Sequence, residues 1–319
     1  MKKPKLLYFS CGLNGRIGFD GIGRELFEEI RIVTLAPEYC AGKDISGLHL
    51  FEDVNGSNVS IFRLKSYSID AEELAALLNF GADLLLVNGW SRLIPAALFL
   101  QARLGAFGAH AGHPPRGRGR APVPWNIIKG FRELEVFLFK LHSDADSGPI
   151  ADIETLEIGI LDNAFDLYCK AGRACEQIYR RSIAGILSST ITLTPQVEAL
   201  ASHYPKRTPS DGFIDWRSST EEIYNFVRAL SYPYPGAFTF LNGDKVVIQS
   251  GKSYDVFYRP DHRMSPGTII DLLPNGMVVR TGTSSLLIDN AQIGGETLDF
   301  KKEWAKYKQT MRGQIFSES

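Results

Sequence analysis

Leu84-Leu-Leu-Val-Asn88 and Ala106-Phe-Gly-Ala-His110 are short apolar runs that end on a polar residue and sit between turn-forming neighbours. Runs of that length and composition form strands covered on both faces. The segment Pro95–Ala102 between them predicts a helix. Working outward, Lys5–Ser10, Arg31–Leu35 and Val59–Leu64 predict further strands. Asp70 is placed to cap a helix over Ala71–Phe80, whose Leu and Ala residues recur at helical spacing. A helix is also predicted over Gly23–Ile30. Strands alternating with helices imply an α/β fold, a Rossmann-like and mostly parallel sheet with helices on both faces. Such sheets bind ligands beyond the carboxyl ends of their strands, which is where Asn88 and His110 stand.

Further along, Pro122–Lys129 predicts a helix opened by proline, and Glu135–His142 a strand. Asp162 or Asn163 can cap a long helix reaching Leu187, with Phe165, Tyr168, Ala171, Cys175 and Ile178 on its core face. Residues 188–204 are rich in Ser and Thr and contain Pro195, which predicts the connection between two domains, 1–202 and 203–319. After a helix over Thr220–Leu230, short strands follow in series: Phe238–Leu241, Lys245–Ser250, Gly267–Leu272, Gly276–Thr281 and Ser285–Asp289. Asn242-Gly243 and Asn275-Gly276 are hairpin turns between them. The second domain is therefore expected to be a smaller antiparallel, OB-like β-barrel with a leading helix.

The chain has 319 residues, 44% hydrophobic and 22% charged, enough for a full core in each domain. Its formal net charge is −1, so nucleic acid is not expected as the main partner. The four cysteines, Cys11, Cys40, Cys169 and Cys175, show no ligand spacing and are expected to be free thiols in a reducing compartment. Leu6–Ser10 is too short for a signal sequence, and Asn88, Arg92 and Arg103 interrupt the apolar run that follows, so a cytoplasmic protein with no membrane span is expected.

His110 at the end of its strand, with Asp146 in the later turn His142-Ser-Asp-Ala-Asp146-Ser-Gly148, is a candidate acid/base pair. Imidazole titrates nearest neutrality, and a carboxylate beside it fixes its tautomer and stabilises its cation. The loop Pro114-Pro-Arg-Gly-Arg-Gly-Arg120 puts three arginines at alternate positions, with glycines that allow close approach of a ligand carboxylate or phosphate. Gly12-x-x-Gly-x-x-Gly18 does not match a dinucleotide fingerprint, and the two Asp and one His of residues 142–146 lack further ligands, so no metal is expected.

These residues resemble the folate-dependent formyltransferase family, whose motifs run Asn-x-His, then an Arg-Gly loop, then Asp-x-Gly. The counterparts here are Gly108-Ala-His110, Pro114–Arg120 and Asp146-Ser-Gly148. The C-terminal part is similar to the family's barrel through Phe213-Ile-Asp-Trp216, Val227-Arg-Ala229, Pro233-Tyr-Pro-Gly-Ala237 and Pro266-Gly-Thr268. Arg118-Gly-Arg-Ala-Pro122 and Lys206-Arg-Thr-Pro209-x-Asp211 look like the sugar-nucleotide N-formyltransferase branch, which includes the enzymes for UDP-4-amino-4-deoxy-L-arabinose.

The resemblance implies transfer of formyl from 10-formyltetrahydrofolate to the amine of a nucleotide-linked amino sugar. His110 would move the proton and Asp146 would orient it. Trp90, Arg92, Leu93, Ile94, Arg120, His142, Ser143, Asp144 and Ala145 would line the folate site, and Arg207 and Thr208 would meet the sugar nucleotide. A homodimer fits the family. Gly108 departs from it: the family's Asn there stabilises the oxyanion, so either another group serves or the protein is slow or inactive. A methionyl-tRNA or other amine formyltransferase, or a non-catalytic folate- or nucleotide-binding homologue, are the alternatives.

Overall fold

The computed structural model describes residues 2–43, 45–142, 144–254 and 263–317. They fall into two compact units. One comprises Met1–Val123, Arg132–Gly159 and Asp166–Lys206, the other Pro124–Phe131, Ile160–Phe165 and Arg207–Ser319.

The first unit is built on a seven-stranded sheet. In chain order its strands are β1 (Lys5–Phe9), β2 (Glu29–Leu35), β3 (Val59–Leu64), β4 (Leu84–Asn88), β5 (Ala106–Gly112), β7 (Glu133–Lys140) and β8 (Ile150–Glu157). Their spatial order is β3-β2-β1-β4-β5-β7-β8. The first five run parallel, while β7 and β8 are antiparallel additions at one edge. A two-residue strand, β6 (Arg118–Gly119), pairs in parallel with β9 (His203–Tyr204).

Alternation along each strand sends successive residues to opposite faces, and both faces are apolar. Leu6 and Tyr8 pack with Phe19 and with Ala171, Cys175, Ile178 and Tyr179 of the long helix α6 (Ala164–Leu187). Leu7 and Phe9 pack on the other face with Leu77 and Phe80 of α3 (Ala71–Phe80) and Leu98 of α4 (Ala96–Gln101). Asp70 caps α3 in a reciprocal box with Glu73, as the spacing predicts.

Two local expectations fail. Gly23–Ile30 is not a helix: Arg24–Leu26 makes one 3₁₀ turn and β2 begins at Glu29. The helix lies earlier, as α1 (Leu13–Phe19), through glycines that ordinarily weaken helices. Its close seating explains them: a Cβ on Gly15 would lie 2.0 Å from Ser10 Oγ and 2.5 Å from the Asn88 carbonyl. Asn88 does not emerge toward a ligand, because its side-chain amide is buried against Asn14 and Cys175. Strand β8 had no counterpart in the sequence reading.

In the second unit, α7 (Thr220–Leu230) precedes a six-stranded antiparallel sheet. Its strands are β10 (Ala237–Leu241), β11 (Asp244–Ser253), β12 (Ile269–Leu273), β13 (Gly276–Arg280), β14 (Ser285–Ile293) and β15 (Glu296–Thr297), in the order β10-β11-β14-β13-β12 with β15 on β14. A last helix, α8 (Phe300–Met311), leads to a tail that bridges both edges, Ser317 to Phe240 and Ile315 to Thr268. Short helices α2 (Pro37–Cys40) and α5 (Pro122–Ile128) complete the described elements.

Cys175 lies wholly in the apolar interface between α6 and the sheet, and burial pushes its thiol up to about 12. This value exceeds the ordinary thiol value of about 8.5, so folding favours the protonated form. The corresponding stability is complete below about pH 8.5 and is lost as pH rises toward the folded-state value. The urea midpoint is expected to fall between pH 7 and pH 10, and Cys175→Ala should flatten part of that fall. An unchanged slope in the variant would remove this thiol as a contributor.

Candidate active site

Strand β5 carries the site. It pairs in parallel with β4 and antiparallel with β7, with Gly108 opposite Phe139 and His110 opposite Phe137. Opposed residues share a face, so Gly108, His110, Phe137 and Phe139 form one surface. The His110 ring meets Phe137 edge-on at 5.7 Å between centroids, and Phe137 packs on Phe139 at 5.5 Å.

His110 Nδ1 lies 3.8 Å from Asp146 Oδ2, both side chains largely buried. That is an ion-pair distance, longer than a hydrogen bond. His110 Nε2 is buried and has no hydrogen-bond partner among the described residues. The imidazole therefore has one edge on a carboxylate and the other unengaged.

Asp146 reaches this position from an awkward backbone. Its φ is +55°, a left-handed conformation that favours glycine. The backbone N–H of Gly119 donates to Asp146 Oδ2 at 3.0 Å. The glycine of Asp146-Ser-Gly148 is a packing requirement, since a Cβ at Gly148 would fall 1.7 Å from the Lys140 carbonyl oxygen.

The residues expected to line a folate site form a second group. Trp90 packs edge-on against Phe9 and Tyr67, at 5.7 and 5.2 Å. Its indole Nε1 is buried without a hydrogen-bond partner among the described residues. The Arg92 guanidinium stands over the Tyr67 ring at 5.2 Å. Burial, and then the charge of Arg92, hold the Arg120 guanidinium below its ordinary value. Ile94 packs into the core near Trp90, whereas Leu93 is exposed. Asp144 and Ala145 are exposed in the turn before Asp146, with the Asp144 carbonyl accepting from Ser147. His142 is exposed at the start of that turn, and Ser143 lies outside the described residues.

The arginine loop does not act as a set. Arg118 is 2% exposed and is engaged inside the protein by Glu198 and Gln196. Of the three arginines only Arg120 is both partly buried and coupled to the Arg92 group.

In the second unit, Arg207 is held between the rings of Trp125 and Phe226, at 4.9 and 5.5 Å, and donates to the Asp211 carbonyl. Thr208 caps the turn Pro209–Gly212, its hydroxyl and N–H both on the Asp211 carboxylate. Both expected substrate contacts are thus engaged in local structure.

Residues 41–183 match the family described as Formyl transferase, and residues 206–308 match Formyl transferase, C-terminal domain. The chain belongs to the formyl transferase family. Among solved structures it is similar to HypX from Aquifex aeolicus in complex with tetrahydrofolic acid, at 17% identity and a TM-score of 0.67. That match covers 98% of this chain and 49% of HypX, so the chain spans about half of HypX's length. An N-formyltransferase from Helicobacter canadensis, in complex with folinic acid and dTDP-3-aminofucose, is 14% identical with a TM-score of 0.57, over 91% of this chain and 99% of that one. Methionyl-tRNA formyltransferase from Clostridium thermocellum is 18% identical with a TM-score of 0.54, over 78% and 93%. At these identities the likeness is one of fold. No metal-binding group of side chains occurs among the described residues, and no helix among them is long and apolar enough to cross a membrane.

Gly108 has a structural counterpart that its own position does not reveal. A Cβ there would lie 2.8 Å from Phe139 Cζ and 3.0 Å from Leu141 Cδ2. The volume next to His110 where a side chain at 108 would project is filled from β7. Restoring a polar group by Gly108→Asn is therefore expected to overpack the site and destabilise the protein by about 1–3 kcal/mol. Adding Phe139→Ala should recover part of that loss. Urea melts of the single and double variants measure both terms; a Gly108→Asn protein as stable as the parent would contradict the packing argument.

Proposed function

We propose that this formyl transferase moves the formyl group of 10-formyltetrahydrofolate to the amine of a nucleotide-linked amino sugar. The observation that carries the chemistry is His110, with Asp146 at Nδ1 and an unengaged, buried Nε2. Nε2 takes the proton of the attacking amine and returns one to the departing folate nitrogen. Asp146, 3.8 Å from Nδ1, favours a proton on that nitrogen and opposes the positive charge formed between those steps. Phe137 packs edge-on against the imidazole, with Phe139 behind it.

The folate supplies an activated formyl group when bound. Residues at the end of β4 suit it: Trp90 and Ile94 offer an apolar wall, and the indole N–H offers an unused donor. Arg92 and Arg120 lie close enough to oppose each other's charge, which favours an anionic group between them, such as the carboxylates of a folate tail. Leu93, His142, Ser143, Asp144 and Ala145 complete the proposed folate site. The sugar-nucleotide acceptor rests on the loop motifs Arg118–Pro122 and Arg207–Asp211 and on the Helicobacter canadensis neighbour. For Arg207, the buried and unpartnered Nε is the donor still available to it.

The filled space at Gly108 favours one second reading, a homologue that binds folate and nucleotide without transfer. Loss of an oxyanion donor costs about a hundred- to a thousand-fold in rate. Incubation with 10-formyltetrahydrofolate and a panel of amino-sugar nucleotides separates the two. Formylated product is expected, and His110→Ala should lower kcat by about 10²–10⁴-fold while the thermal melt is unchanged. Saturable folate binding with no product on the panel would favour the binder, and full activity in His110→Ala would remove the mechanism.

A further inference from the structure

We propose that Gln196 is a positioning residue for Asp146, fixed in its own orientation by buried Arg118 and the Glu198 carboxylate paired with it. The inference deepens the function proposed above and rests on the reading of His110 and Asp146 as the proton-handling pair.

The need for such a device follows from the register of β7. Lys140, the last residue of that strand, stands opposite Phe107, three positions before His110. At about 3.4 Å per residue, the connection from β7 to β8 leaves the sheet about 10 Å short of the imidazole. Asp146 lies in this connection and has to be turned back over the β5 face, in a left-handed conformation, to approach His110.

Gln196 supplies the restraint. Its Nε2 donates to two carbonyl oxygens of the turned-back segment, Asp146 O at 2.8 Å and Gly148 O at 2.7 Å. Its Oε1 accepts from Arg118 Nη2 at 3.1 Å. The amide cannot flip without placing its oxygen against two carbonyls and its N–H₂ against a guanidinium. Arg118 in turn meets Glu198 through a fork, Nη1 to Oε1 and Nη2 to Oε2, both at 2.9 Å. Glu198 itself is exposed, and the guanidinium beside it holds its carboxyl below the usual carboxylate range.

The same strap is stitched to the arginine loop. Arg118 N–H donates to the Ser202 carbonyl at 3.0 Å, and Gly117 N–H to Ser202 Oγ at 3.1 Å. Gly119, next in that loop, donates to the Asp146 carboxylate. Backbone and carboxylate of Asp146 are therefore held from one side by Gln196 and from the other by Gly119. Three segments far apart in sequence meet at this residue, and Gln196 is the side chain that joins them.

The test uses Gln196→Glu, which keeps the shape and an acceptor for Arg118 but removes both N–H donors. Glu198→Gln, at an exposed position, removes only the charge that anchors the fork. Histidine labelled with ¹⁵N, with the His110 signals assigned by its loss in His110→Gln, reports which nitrogen carries the proton. The intact protein and Asp146→Asn provide the two references. Gln196→Glu is expected to convert the neutral His110 ring from the Nδ1–H tautomer to the mixture seen in Asp146→Asn. Its kcat for formyl transfer should fall about ten- to a hundred-fold, the scale of a misplaced catalytic group, with the KM for the folate within about threefold. Glu198→Gln should move both readouts in the same direction by less, and it decides the matter if Gln196→Glu does not fold. A wild-type tautomer and kcat in these variants, with Asp146→Asn altered, would overturn the positioning role alone. No tautomer change in Asp146→Asn would defeat the dyad itself, and this proposal with it.

Discussion

The antiparallel pairing of β5 with β7 is the constraint on which the site depends. A sheet that continued in parallel would bring each following loop out beside the end of β5. Instead the reversal sends the connection after β7 toward the start of β5, and the carboxylate that the histidine needs must be folded back across the sheet face. The glycine at 148, the left-handed Asp146 and the donor from Gly119 are consequences of that detour. Each is a local oddity in isolation. Together they accompany the one turn that reverses over the β5 face.

The same pairing governs the face on which catalysis would run. Because Gly108 stands opposite Phe139, the two positions share one volume, and its occupant can come from either strand. Here the aromatic side chain takes it. A side chain at 108 would require the Phe139 ring to shift, so the two positions are coupled. The result is an imidazole set against rings, in a setting where its ionic partner matters more because few other polar groups can solvate its charge.

The fold was legible wherever alternation and caps act locally. The buried strands around Leu84–Asn88 and Ala106–His110, the Asp70 cap and the helix Thr220–Leu230 depend on a few neighbouring residues each, and they lie where pattern predicts. Helix α1 was hidden because its glycines answer to Ser10 and Asn88, contacts that no local window contains. Strand β8 was hidden because Asp152 and Glu154, on the face turned to α6, are ion-paired to Arg181 while Ile153 is exposed, which inverts the usual apolar-in, polar-out alternation. Within the site, the motif residues His110 and Asp146 could be read from their chemistry. Gln196 could not, since an uncharged amide in a Ser- and Thr-rich connection carries no signal until its partners are known. Arg118 misled for the related reason that an arginine between glycines looks free to meet a ligand. Its burial and its ion pair with Glu198 are set by tertiary structure.

Segment 188–204 has the composition of a connection but does more than connect. A linker whose polar side chains face water restrains nothing, whereas this one places an amide and a carboxylate on a buried guanidinium. The guanidinium is buried while its carboxylate partner stands at the surface, so the fork holds the arginine head in one orientation. Once such a unit exists, any group hydrogen-bonded to it inherits a fixed orientation without further stabilisation of its own. Gln196 occupies that place, between an anchored cation and a backbone turn that has no regular secondary structure to define it. The turn that carries Asp146 is thus hydrogen-bonded to an amide that itself meets an ion pair set just beside it, outside direct reach of the imidazole.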